Sequence, residues 1–88
     1  MLKAVFVEFI GTLIFLYVII ATDNSVAIGA VLALMIYLGE PISGGNFNPA
    51  VTAMMVAAKK QNMNTVLPYM AAQLAGGLVA LELYKRIR

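Results

Sequence analysis

From Ala4 to Ala21 the chain is apolar at every position except Glu8, Gly11 and Thr12. A helix over that run is about 27 Å long, close to the hydrocarbon thickness of a bilayer. A secretory signal would have a shorter apolar core, no acid inside it and a small-residue cleavage site after it, so a retained membrane helix is expected. Of 88 residues, 62% are hydrophobic and 11% charged, with a mean hydropathy of +0.92. A small soluble domain buries too little of its surface to hide that much apolar area. The expectation is an integral, multi-pass membrane protein with lipid around it, built as one domain over residues 1–88.

The same composition weakens whole classes of function. There is no cysteine and no histidine, so disulfides, thiol chemistry and the commonest general base and metal ligand are absent. The four acids, Glu8, Asp23, Glu40 and Glu82, do not have metal-ligand spacing. No catalytic constellation, metal site or cofactor is expected, and the protein is read as not an enzyme. The net charge of +2 comes from a few residues near element ends. It makes no basic stripe, so no nucleic-acid partner is expected.

After the first run, Thr22-Asp23-Asn24-Ser25 reads as a turn, with Asn24 or Ser25 capping the next helix. Val26 to Leu38 is a second apolar run, which Gly39 and Pro41 are expected to stop. A loop follows from Ile42 to Phe47. Asn48 is a strong N-cap residue, and Pro49 suits the first helical position, where its missing N–H costs nothing. The helix over Pro49–Ala58 is only about 15 Å long, half a bilayer. Lys59 to Asn64 is polar and must reach water. Thr65 to Leu83 is a third span, with Pro68 in its first turn, followed by an interfacial tyrosine and a basic tail. Gly29 and Ala33, and Ala72, Gly76 and Ala80, recur at four-residue steps and predict close helix–helix packing. Glu40 and Glu82 lie near interfaces and are expected to be solvated.

A half-length helix that starts in glycine-rich backbone between membrane spans implies a re-entrant geometry. Irregular backbone at membrane depth survives only where protein or a watery cavity satisfies it. The loop is expected to dip to the midplane and the short helix to return to the same face. A helix N-terminus at the bilayer centre is a positive spot. Carbonyls of Gly44, Gly45 and Asn46 and the side chain of Asn48 can exchange hydrogen bonds with a passing small molecule, while the positive end opposes protons and cations. The fold class is therefore an all-α membrane protein with three transmembrane helices and one re-entrant half-helix.

Several segments, in order, resemble the aquaporin and aquaglyceroporin (major intrinsic protein) family. Val7-Glu8-Phe9-Ile10-Gly11-Thr12 resembles its first-helix glutamate motif, and Ala27-Ile28-Gly29 the start of its second helix. Ile42-Ser43-Gly44-Gly45-Asn46-Phe47-Asn48-Pro49-Ala50-Val51-Thr52 resembles its Asn-Pro-Ala loop, and Ala72-Gln73-Leu74-Ala75-Gly76 its third-helix motif. The resemblance covers essentially the whole chain and implies a passive channel for water or small neutral solutes. It makes Asn48 the midplane donor, with Pro49 and Ala50 fixing the half-helix and Gly44, Gly45 and Asn46 supplying a carbonyl ladder. It makes Glu8 a buried acceptor for the loop backbone and Gln73 an anchor of the same region.

Two departures from the family pattern shape the expectation. The family has two such halves in opposite orientations, and one half leaves a wall open. Lys3, Lys59 and Lys60 fall on one side and Lys85, Arg86 and Arg88 on the other, so the charge rule gives little orientation preference. An antiparallel homodimer that recreates the inverted repeat is expected, with the family suggesting a further tetramer of pores. The rival readings are a non-conducting subunit that pairs with or regulates a full-length channel, and a truncated fragment, which the polar ends at both termini argue against. The second departure concerns selectivity. Val51 stands where the family's second half commonly has arginine, and Ile28 where an aromatic is common. A wider, less polar constriction is expected, which admits glycerol or urea beside water.

Overall fold

The computed structural model describes residues 1–87; Arg88, the last of the C-terminal cations, lies outside the described residues. Among those described, four α-helices and one 3-10 turn are formed: α1 (Leu2–Thr22), α2 (Ser25–Ser43), α3 (Pro49–Ala57), the 3-10 turn Met63–Thr65, and α4 (Val66–Ile87). Three segments, Leu2–Thr22, Ser25–Ser43 and Met63–Ile87, are long and apolar enough to cross a membrane. Their apolar side chains are largely exposed, including Phe6, Leu34, Tyr37, Leu67 and Leu78, and lipid is the solvent that tolerates that. The protein is an integral, multi-pass membrane protein.

α1 is the central element and packs on both α2 and α4, while α3 packs on α4. The stripe of small residues on α4 explains the closest of these contacts. Ala72, Gly76 and Ala80 are buried. A Cβ added at Gly76 would stand 2.7 Å from the Phe9 carbonyl oxygen and 3.1 Å from the Leu13 nitrogen. The two backbones therefore touch, as small residues permit in lipid. The matching stripe on α2 is not used within the chain: Gly29 has open space around it, and Ala33 is exposed.

The connections follow local chemistry. Asp23 ends α1 in the left-handed region, and the Asn24 side chain accepts hydrogen bonds from the Val26 and Ala27 amides at 3.0 Å each, capping α2. One expectation is corrected. Gly39 and Pro41 do not stop α2, which runs on to Ser43 and ends at Gly44 with φ 91°. Pro41 removes a single intrahelical bond, and three others hold the last turn. The Gly44 N–H donates to the Glu40 carbonyl at 3.0 Å, the Ser43 hydroxyl to Glu8 at 2.7 Å, and the Tyr69 hydroxyl to the Ser43 carbonyl at 2.7 Å. The irregular backbone thus shrinks from the expected Ile42–Phe47 to residues 44–48. α3 closes at Ala57, with Ala58 as its cap, and α4 runs through Tyr84 to Ile87 rather than ending at Leu83.

The loop reaches the depth of the helix midpoints. Phe47 packs against Gly11, at the centre of α1. α3, about 13 Å long, then returns toward the side where α4 begins, where Gln61 bonds Thr65 at 2.8 Å. That is the re-entrant path. Glu40 is exposed, as is Glu82, which pairs with Lys85 and Arg86 at 3.4 Å each.

Candidate functional site

The site is organised by one carboxylate inside a membrane span. Glu8 is fully buried, a placement that is costly unless its lone pairs are filled. Four donors fill them. Oε2 accepts from the Ser43 hydroxyl at 2.7 Å and the Asn46 backbone N–H at 3.1 Å. Oε1 accepts from the Phe47 backbone N–H at 2.7 Å and the Gln73 amide at 2.8 Å. A carboxylate offers about four acceptor positions and no donor, so it matches this set where an amide or a hydroxyl would not. The two loop N–H groups it receives are ones that no helix could satisfy.

The network extends from there. The second hydrogen of the Gln73 amide goes to the Thr52 hydroxyl at 2.8 Å. Asn46 Nδ2 donates to the same hydroxyl and to Gln61 Oε1, at 2.9 Å each. Gln61 then donates to Thr65. A chain of hydrogen bonds thus runs from α1 through α4, α3 and the loop to the 3-10 turn before α4, and it rests on uncharged groups apart from Glu8. The Thr12 hydroxyl and Gln73 Oε1, both buried, have no partner among the described residues.

Asn48 lies just outside this network. Its backbone is extended (φ −161°, ψ 127°), and its Oδ1 accepts the Ala50 N–H at 2.7 Å. That cap fixes which end of the amide is oxygen. Nδ2 is left exposed, with no partner among the described residues. Asn48 and Pro49 line a cleft of about 660 Å³ between α1 and α4, together with Thr12, Phe15, Leu16, Phe47, Gln73 and Leu74. The walls are mostly apolar, and the cleft is open rather than enclosed.

The structure brings some of the expected residues together and not others. Asn48, Pro49 and Gln73 share the cleft. Gly44, Gly45, Asn46, Ala50, Val51 and Ile28 do not line it. Gly45 and Asn46 are buried, Gly44 and Ala50 are exposed, and Val51 and Ile28 are half-buried. Sequence reasoning missed Ser43, Thr52, Tyr69, Gln61 and Phe47 as parts of the site. A signal for some of them was present: Glu8 and Thr12, Asn48 and Thr52, and Tyr69 and Gln73 are polar pairs four residues apart inside apolar runs. That spacing puts both members on one helix face, and in lipid a polar face must meet other polar groups.

Comparison with known proteins agrees with this architecture. The family model for major intrinsic proteins matches residues 1–88. The chain is similar to aquaporin PIP2-7 of Musa acuminata (35% identical, covering 97% of this chain and 37% of the relative). It is likewise similar to probable aquaporin PIP2-6 of Oryza sativa subsp. japonica (33%, with coverage of 97% and 37%) and probable aquaporin PIP2-8 of Arabidopsis thaliana (34%, with 94% and 36%). The chain therefore spans little more than a third of the length of these relatives. No solved structure matches it. With a family match along all 88 residues, on three membrane-spanning helices and a re-entrant half-helix, the chain belongs to the major intrinsic protein family.

Proposed function

We propose that this chain forms half of a passive channel for water and small neutral solutes such as glycerol, completed by a second half in the opposite orientation. The observation that carries the reading is the Asn48 amide. Its oxygen is committed to the Ala50 N–H and its Nδ2 is unpaired at the edge of a mostly apolar cleft. A donor held in that way, at the N-terminus of a half-helix, can take the place of one hydrogen bond of a passing hydroxyl or water. The positive end of α3 beside it disfavours cations and protons. The name aquaporin that the relatives carry supports water as a solute.

The open cleft is where the second half belongs. In the simplest assembly it comes from another copy in the opposite orientation, an antiparallel homodimer that brings two Asn48 side chains toward one another at the midplane. In the sequence, Lys3, Lys59 and Lys60 balance Lys85, Arg86 and Arg88, which leaves either insertion direction open to the chain. Gly44, Gly45, Asn46, Ala50, Val51 and Ile28 would border the path only once that second half is in place.

The test is osmotic. Vesicles containing the purified chain are expected to shrink faster than protein-free vesicles under both sucrose and glycerol gradients, with glycerol re-entry following. Association without faster shrinkage would instead assign the chain as a non-conducting subunit. Cysteine labelling of both termini in intact cells reads orientation, and one fixed orientation in every copy overturns the antiparallel homodimer.

A further inference from the structure

We propose that Phe47 is the positioning residue of this site: its ring, seated in a slot made by Gly11 of α1 and Gly39 of α2, sets the depth and direction of the Asn48 amide. The importance of that amide rests on the channel reading above; the seating of the ring does not.

The backbone of Phe47 has φ 56°, a left-handed conformation that bulky side chains rarely adopt. Something must hold it there. The ring is 2% exposed. A Cβ added at Gly11 would stand 2.2 Å from the ring's Cε1, and one added at Gly39 would stand 2.7 Å from its Cζ. The ring therefore occupies the space that side chains at both glycines would need. The Phe47 N–H is pinned separately, on Glu8 Oε1 at 2.7 Å. With both the ring and the N–H fixed, the left-handed turn is over-determined, as strained backbone at functional sites commonly is.

The backbone upstream is itself fastened: the Gly44 N–H bonds the Glu40 carbonyl at 3.0 Å and the Gly45 N–H the Ser43 hydroxyl at 3.2 Å, so the loop reaches Phe47 already placed. Asn46 is held through its N–H, on Glu8, and through its side chain, on Thr52 and Gln61, and the direction in which the chain leaves it turns on Phe47. The next residue is Asn48 itself. The left-handed turn at Phe47 followed by extended Asn48 brings Oδ1 onto the Ala50 N–H, and that bond leaves Nδ2 free.

The proposal is tested by residue-resolved hydrogen exchange on the full chain in lipid nanodiscs, reading the Ala50 amide that Asn48 caps. Phe47→Leu removes the ring atoms that fill the slot, and Gly11→Ala puts a methyl group where the ring sits. Each is expected to speed exchange at Ala50 about tenfold while amides in the middle of α1 and α4 keep their protection. The double variant, in which the smaller side chain makes room for the methyl group, is expected to restore protection most of the way. Unchanged Ala50 exchange in Phe47→Leu overturns the proposal. So does loss at Ala50 only in step with α1 and α4, because a merely structural ring would loosen them together. A double variant no better than the worse single variant also overturns it. If Gly11→Ala does not insert, Phe47→Leu and Phe47→Ala decide the matter between them: graded loss at Ala50 supports the proposal, and no loss in either overturns it. Vesicle permeability is read separately on the unmodified chain, so a failure of the channel reading shows there and not in the exchange data.

Discussion

Asn46 and Asn48 stand two residues apart and meet opposite fates. Asn46 is 4% exposed, and its backbone N–H and its side-chain amide are bonded to Glu8, Thr52 and Gln61. Asn48 is exposed, spends its oxygen on a helix cap and leaves its nitrogen unpaired. One face of the loop is thus fastened by a buried polar network, and the other presents the Asn48 Nδ2. On the channel reading proposed above, the contrast separates the residues that stabilise the loop from the one that would meet a solute. Substitutions on the fastened face should be read in folding, and those on the open face in permeation.

The largest effect is expected at Glu8. Glu8→Ala strands the Asn46 and Phe47 N–H groups and two side-chain donors in a buried site. It should destabilise the fold by about 4 kcal/mol, at about 1–3 kcal/mol per stranded group with partial relaxation. Unfolding titrations in mixed detergent check this, and a loss below that of Asn48→Ala would break the contrast. Asn46→Ala comes next, at about 1.5 kcal/mol, because half-buried Gln61 can recover its lost bond from water. Asn48→Ala removes one cap and should cost about 1 kcal/mol, yet it deletes the free donor, so vesicle water flux should change more than for Asn46→Ala. Asn48→Asp keeps the cap and suits the helix N-terminus, so stability should move by no more than about 0.5 kcal/mol. Its anion should nonetheless weaken the positive barrier and raise proton leak, measured with a pH dye trapped in vesicles. Equal leak in the aspartate variant and the unmodified chain would remove Asn48 from proton exclusion.

A further comparison separates two glycines at similar spacing motifs. Gly76→Leu should part α1 from α4, because its Cβ alone would approach the Phe9 carbonyl oxygen to 2.7 Å. The expected cost is about 2 kcal/mol, typical of overpacking. Gly29→Leu should leave the helix packing of the isolated chain unaffected, since a Cβ there would meet no neighbouring element within 4 Å. A loss of self-association in Gly29→Leu, read by crosslinking in membranes, would give the unused stripe a partner.

Much of the helix plan was legible from local features. Apolar run lengths gave three spans, Asn24 and Asn48 announced two helix starts through their capping chemistry, and Pro49 marked the first turn of α3. The α2 end was not legible. Gly39 and Pro41 weaken a helix locally, but the bonds that carry it on to Ser43 come from Glu8 and Tyr69, 35 and 26 residues away. Gln61 was equally silent, since an isolated amide names no partner.

The sequence by itself determined that this chain lives in a membrane and that one helix stops halfway, because both follow from the number of apolar residues in a row and the caps at their ends. Only the tertiary structure decided which polar groups hold the loop and which is left free. Lipid supplies no hydrogen bonds, so each buried donor must find its acceptor within the protein. Glu8, Phe47 and Gln73 come from three separate segments, and their pairing exists only once α1, the loop and α4 are packed together.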